Sequence, residues 1–186
     1  MMVRMVYERR DVIPLIGEAF RRYGFEGTSI SRLTEHTKLG KGSLYNFFPG
    51  GKDAMAEAVL DHIHQWFETE IFKPLDELNP SEALDMMFAG VSKYFRSGQR
   101  ICLVGAFALE ETRDRFSSAV CSYFDRWIRA LSGALQRSGM NSADAGTLAA
   151  EVVAGIQGAI VLSRALMDET RFAAIIARLA QRCRGG

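Results

Sequence analysis

The densest run of chemically able side chains is Gly40 to Lys52, GKGSLYNFFPGGK, with four glycines, two lysines, a tyrosine and two phenylalanines. Glycine next to lysine first raises phosphate binding. A nucleotide loop of the form G-x-x-x-x-G-K-[ST] needs its first glycine five residues before the second, so that backbone N–H groups line a nest. Here Asn46 stands five before Gly51, Asp53 follows Lys52, and Glu35 stands where Gly40-Lys41 would need that glycine. No strand precedes either candidate, so the loop and the dinucleotide fingerprint both fail. Plain core packing accounts for Leu44, Phe47 and Phe48, which share a helical face. It leaves Lys41, Ser43, Tyr45 and Asn46 unexplained. These are hydrogen-bonding groups at the start of a two-turn helix, with Gly42 among them to permit close approach of something bulky.

That pattern fits the second helix of a helix-turn-helix, whose N-terminal residues enter the DNA major groove. Lys41 can donate to guanine, Ser43 to a base or phosphate, and the Tyr45 ring and hydroxyl can meet a thymine methyl or a phosphate. Asn46 belongs to the same polar face. Lys52 opens the next helix, where N–H groups also point outward to a phosphate. Thr28 and Ser29, opening the helix before, are placed to do the same across the groove.

Other candidate chemistry is thinner. His36, His62 and His64 lack the i, i+4 spacing of a metal pair. Cys102, Cys121 and Cys183 form no C-x-x-C pair, so a reducing compartment without disulfide or zinc knuckle is expected. Glu110-Glu111 reads as a solvated face with a salt bridge to Arg113 or Arg115. No Ser-His-Asp set and no cofactor loop is visible. The sequence therefore assigns no catalytic residue, no metal and no cofactor. The remaining rival is a helical ligand-binding or sensor protein, or an enzyme, that does not bind DNA.

The elements that must position these residues are helices throughout. Proline occurs only at 14, 49, 74 and 80, and helical periodicity fills the intervals. The pattern predicts an all-α chain of about nine helices. Three short ones come first, at about Asp11 to Tyr23, Ser29 to Thr37 and Lys41 to Phe47. A connecting helix follows from Gly51–Lys52 to about Phe72. Pro74 to Pro80 reads as a break, and helices at about 81–96, 104–111, 114–138, 142–167 and 170–183 follow, with Ser81 and Ser142 as caps. The expected division is 1–50 for DNA binding, 51–72 as connector, and 73–186 as a C-terminal helical bundle. Of 186 residues, 48% are apolar and 24% charged, with a net charge of +1, so the chain is neither disordered nor a basic nucleic-acid coat. Residues 1–60 hold nine Lys/Arg against seven Asp/Glu and the remainder fourteen against fifteen, a bias that suits an N-terminal polyanion contact. MMVRMVYERRD lacks an apolar core for a secretion signal. Val152 to Leu162 is about half the roughly 20 residues of a membrane span. A soluble, cytoplasmic protein with no membrane partner is expected.

Residues 12–63 resemble the DNA-binding domain of the tetracycline-repressor (TetR) family. The resemblance is carried by Ala19-Phe20 and Gly24, Gly27-Thr28-Ser29-Ile30, Gly40-Lys41-Gly42-Ser43-Leu44-Tyr45, Phe48-Pro49 and Lys52. The FPGGK form and ICLVGAFALEET at 101–112 resemble the LmrA/YxaF-type subgroup. Thr37-Lys38 and Gly40 depart from the family's usual turn residues, which bears on turn geometry and base preference. The resemblance implies a homodimeric repressor that binds double-stranded operator DNA and a small effector. Trp66, Phe88, Phe95, Leu103, Phe107, Phe124 and Trp127 are candidates to line an apolar or aromatic effector pocket, although core packing explains each singly. Val152, Gly155, Ile156, Ala159, Ile160 and Leu162, with Phe172, Ile175, Ile176 and Leu179, are expected to form a four-helix interface between two copies; filling the monomer core is the alternative.

Overall fold

The computed structural model describes residues 8–185; residues 1–7, read above for a targeting signal, and 186 lie outside the described residues. It is all-α, with no strand among the described residues. Three short helices make a head: α1 (Arg9–Tyr23), α2 (Ile30–Thr37) and α3 (Lys41–Phe47). A rod leads out of it, made of α4 (Gly51–Phe67), a π-turn (Glu68–Phe72) and α5 (Lys73–Glu77). The body adds α6 (Pro80–Tyr94), α7 (Leu103–Leu109), α8 (Ser117–Arg137), α9 (Ser142–Ala165) and α10 (Glu169–Cys183). Counting the rod once gives nine α-helices among the described residues, the number read from the periodicity.

Several boundaries differ from expectation for local reasons. Helix α1 starts before Asp11, because the Glu8 N–H donates to the Asp11 carboxylate and closes the first turn. Pro14 therefore lies inside the helix and leaves the exposed Arg10 carbonyl to water. Pro74 does not break the rod. The π-turn directly before it, with the Lys73 N–H donating to the Glu68 carbonyl, carries the chain past a residue that has no N–H to give. The caps are Asn79 and Asn141, whose side chains accept from Ser81 N and Asp144 N, rather than Ser81 and Ser142. The Glu110-Glu111 ion pair does not form; Arg113 pairs with Asp114 and Arg115 with Asp53.

The body packs α8 against α9 and α9 against α10. Phe67, fully buried, is surrounded by Phe72, Tyr94, Tyr123 and Trp127 at ring-centroid separations of 4.8–5.8 Å. A second aromatic group joins head to body. Phe20 and Phe25 of the head meet Phe107 of α7 at 6.3 and 5.6 Å, and Phe25 meets Phe116 at 5.3 Å. Beside it runs a polar latch. Arg21 donates to the Ile101 carbonyl and to the Tyr94 hydroxyl, and the Glu18 carboxylate accepts from Arg21 at 3.1 Å and Arg100 at 2.6 Å.

Burial pushes the Glu18 carboxyl up, but the Arg100 hydrogen bond and the charges of Arg21, Arg100 and Arg96 outweigh it and hold it below its ordinary value. A depressed carboxyl stabilises the fold above its unfolded pKa, and that contribution is lost as pH falls through the folded value. Glu18→Gln is expected to lower the urea midpoint at pH 7. The gap to the unaltered protein closes as pH drops below about 4, where the unfolded carboxyl also protonates; urea titrations from pH 7 to pH 3 check this.

Candidate nucleic-acid interface

The surface of α3 is built on one buried residue. Leu44 is fully buried, while Lys41, Gly42, Ser43, Tyr45 and Asn46 are all exposed. Phe48, 1% exposed, ends the helix in the core and Phe47 is half-buried, so the apolar half of the segment is anchor and the polar half is surface. Gly40 caps the helix with extended backbone and no side-chain bond. A side chain at Gly42 would meet nothing within 4 Å, so this point of the helix is open to a close approach from outside. Lys41 lies 5.9 Å from the Tyr45 ring centroid, which keeps its charge beside the helix start.

The turn before α3 is made by Lys38, which ends α2 in the left-handed region at φ 61°. Thr37 is buried and its hydroxyl donates to the Leu33 carbonyl. Ser29 is exposed and caps α2 by accepting from Arg32 N at 3.2 Å. On the other side, Arg9 of α1 donates to the Phe47 carbonyl and lies over the Phe48 ring at 5.0 Å, fixing α3 from behind.

Two expected contacts are corrected. Thr28 is fully buried and its hydroxyl donates to the Gly24 carbonyl at 2.5 Å, so it closes the α1–α2 loop instead of facing outward. Lys52 reaches inward: its ammonium donates to the Phe25 carbonyl at 3.1 Å, lies 4.2 Å from the Phe25 ring centroid and pairs with Glu26 at 3.6 Å. It ties the start of α4 to that same loop. Exposed cations missed in the sequence are Lys38 in the turn and Arg32 on α2; their signal was charge within a few residues of Lys41.

The body holds an apolar groove of about 650 Å3, walled by α7, α8 and α9. Of the expected effector-pocket residues only Phe124 lines it. Phe88, Phe95, Leu103, Phe107 and Trp127 are core, 0–6% exposed, and Trp66 lines a different cleft near the head. The walls are small and aliphatic instead: Gly105, Ala106, Ala108, Leu109, Ile160 and Val161. Gln157 lines the groove and its Nε2 is buried without a partner; Tyr123 Oη and Trp127 Nε1 of α8 are also buried without one, in the core. Cys102 is buried there, and burial pushes its thiol up. Among the described residues no group of three or more His, Cys, Asp or Glu is placed to hold a metal ion.

The expected dimer residues are mostly inside the monomer. Val152, Ile156, Ala159, Ile160, Phe172, Ile176 and Leu179 are 0–7% exposed and Ile175 is half-buried; a side chain at Gly155 would sit 3.0 Å from Leu179. Only Leu162, 47% exposed, faces out. The exposed small and apolar residues of α9 are Ala150, Ala154, Gly158, Val161, Leu162 and Ala165, and α10 exposes Ala173, Ala174 and Ala177.

Residues 18–59 match the model of the bacterial regulatory proteins of the tetR family, and residues 80–178 match the LmrA/YxaF-like transcriptional regulator C-terminal domain. The uncharacterized HTH-type transcriptional regulator YxaF of Bacillus subtilis is 25% identical over 167 residues, 87% of each chain. The HTH-type transcriptional regulator LmrA of the same organism is 23% identical, over 87% of this chain and 89% of its own. A TetR transcriptional regulator from Legionella pneumophila superposes with a TM-score of 0.80, covering 97% and 99% of the chains at 18% identity. A cysteine mutant of the TetR family regulator CifR, in complex with 26-base-pair operator DNA, gives 0.74 at 20% identity, covering 97% and 98%.

The two glycines flanking the interface should respond oppositely to alanine. At Gly42 the methyl meets open space in a helix, so Gly42→Ala is expected to raise unfolding stability by about 0.5–1 kcal/mol. At Gly27 it would lie 2.2 Å from the Tyr23 carbonyl oxygen, and Gly27→Ala is expected to cost about 1–3 kcal/mol. Denaturant midpoints of both variants check this.

Proposed function

The chain belongs to the TetR family of bacterial transcriptional regulators, with an LmrA/YxaF-like C-terminal domain, and from that premise we propose a homodimeric repressor released from its operator by a small, mostly apolar effector. The observation that carries the DNA-binding half is the α3 surface. Five exposed residues, Lys41, Gly42, Ser43, Tyr45 and Asn46, stand on the buried Leu44 in a helix held by Arg9 from α1. Donors and acceptors at short reach, with a glycine at the open point, suit a base edge in the major groove. Ser29 and the Lys38 turn flank them as phosphate contacts.

Dimerisation is supported by the exposed small residues of α9 and α10, where helices of two copies can approach closely. The same helix is long and apolar enough to cross a membrane by length and composition, with mean hydropathy 1.6 over its 18-residue window. Its seat between α8 and α10 supports the reading as a core and dimer helix. The groove supports an effector with an apolar body. Its unpartnered Gln157 Nε2 is a donor, so the effector's polar end would carry an acceptor.

Release follows by linkage. Two recognition helices must sit about one DNA turn apart, roughly 34–36 Å, to enter successive major grooves. An effector that binds a state with another spacing lowers operator affinity by the same factor that operator lowers its own. The connecting helix, which leads from the head into the body, is one carrier of that change. Helix α7 offers a shorter route: Gly105, Ala106 and Ala108 wall the groove while Phe107 packs on Phe20 and Phe25 of the head.

Selection of bound sequences from a random double-stranded pool tests the reading. A palindromic motif is expected, with affinity falling steeply with salt. Lys41→Ala and Gly42→Val should each weaken binding to it at least tenfold without lowering the unfolding midpoint by more than a few degrees. Failure to enrich any motif at low salt would favour the rival, a helical ligand binder that does not read DNA.

A further inference from the structure

We propose that the cleft between α1, α4 and the segment 93–100 is a binding site for a small organic anion, a carboxylate on an apolar or aromatic body, which pins the head to the body when bound. The cleft has a volume of about 230 Å3, below the roughly 300–1,000 Å3 of pockets for drug-sized ligands. Four cations line it, Arg21, Lys93, Arg96 and Arg100, and no carboxylate does. Glu18 sits behind two of them and accepts from both Arg21 and Arg100. Four positive charges against that one negative leave +3 with His62 neutral. Lys93 and Arg96 are exposed at the mouth and join none of the ion pairs among the described residues.

Repulsion of this kind is costly in a partly desolvated site, and a bound anion relieves it. His62 feels the same field: burial and the charges of Arg100 and Arg21 hold its imidazole below the ordinary value. The remaining wall is apolar. The Trp66 and Tyr94 rings lie 4.6 Å apart between centroids, and Ile13, Val59 and Ile63 complete it. An inorganic anion would be stripped of water against that wall without compensation, whereas an apolar body fills it. The α4 residues of the cleft, 59 to 66, lie on the order of 12–22 Å along the helix from Gly51, so the cleft is separate from the α3 surface. Its occupant touches α1 of the head and 93–100 of the body at once, which is what gives it a hold on head orientation.

Trp66 supplies the readout. Benzoate is expected to quench tryptophan emission saturably, and Trp66→Phe to abolish the response, since Trp127 is fully buried elsewhere. Benzamide, of the same shape without the charge, and inorganic phosphate, charged without the ring, should each give no saturable change. The double variant Lys93→Gln/Arg96→Gln should keep its unfolding midpoint and bind benzoate at least tenfold more weakly. On benzoate binding, amide exchange in α1 should slow. The proposal is overturned if benzoate gives no saturable quench, if benzamide or phosphate matches it, if the double variant binds as well, or if α1 exchange is unchanged.

Discussion

Four phenylalanine rings hold the head and body of this chain together. Phe20 and Phe25 come from the head, Phe107 and Phe116 from the body, and their centroids lie 5.3–6.3 Å apart. A head of three short helices is too small to bury a sufficient core alone, and it completes that core on α4 and on these rings. Edge-on aromatic pairs contribute about 0.5–1.5 kcal/mol each beyond the area they bury. The Arg21, Arg100 and Glu18 latch beside them adds direction, because hydrogen bonds to the Ile101 carbonyl and the Tyr94 hydroxyl fix the angle at which the rings meet.

From this junction the functional surfaces follow. Phe25 anchors the loop that Thr28 and Lys52 close, and that loop sets where α2 begins. Arg9 then ties α3 to α1, and the buried Leu44 seats α3 in the core. On the body side Phe107 belongs to α7, whose other residues wall the apolar groove. One seven-residue helix therefore touches both the space proposed for an effector and the ring group that seats the head. The cationic cleft lies on the polar flank of the same joint, so both proposed ligand sites adjoin the contact that orients the head.

Much of this was legible in the sequence, and the misses share a physical cause. The bounds of α3 were readable because Gly40 and Pro49 punctuate it and Leu44 and Phe48 fall on one face. Thr28 and Lys52 were not. A hydroxyl or ammonium type does not reveal that a backbone carbonyl, Gly24 or Phe25, waits within reach. Between Val152 and Leu162 helix α9 carries no charge on any side, so periodicity could not tell the inward Val152, Ile156 and Ile160 from the outward Ala154, Gly158 and Val161. Large aromatic residues fill space; the walls that leave it are Gly105, Ala106 and Ala108, whose types carry no such signal in a sequence. Pro74 reads as a helix end only if every turn is α, and a single π-turn removes that premise.

The claim that most needs testing is that the junction holds the head in one orientation. A spin label on the exposed position 35 through Glu35→Cys, in a protein with Cys121→Ser, would give the distance between the two heads of the proposed dimer in solution. The account predicts a single narrow distribution, broadened by Phe107→Ala. A broad distribution in the unaltered protein, indifferent to Phe107→Ala, would mean that the heads swing freely and that the aromatic joint does not set their spacing.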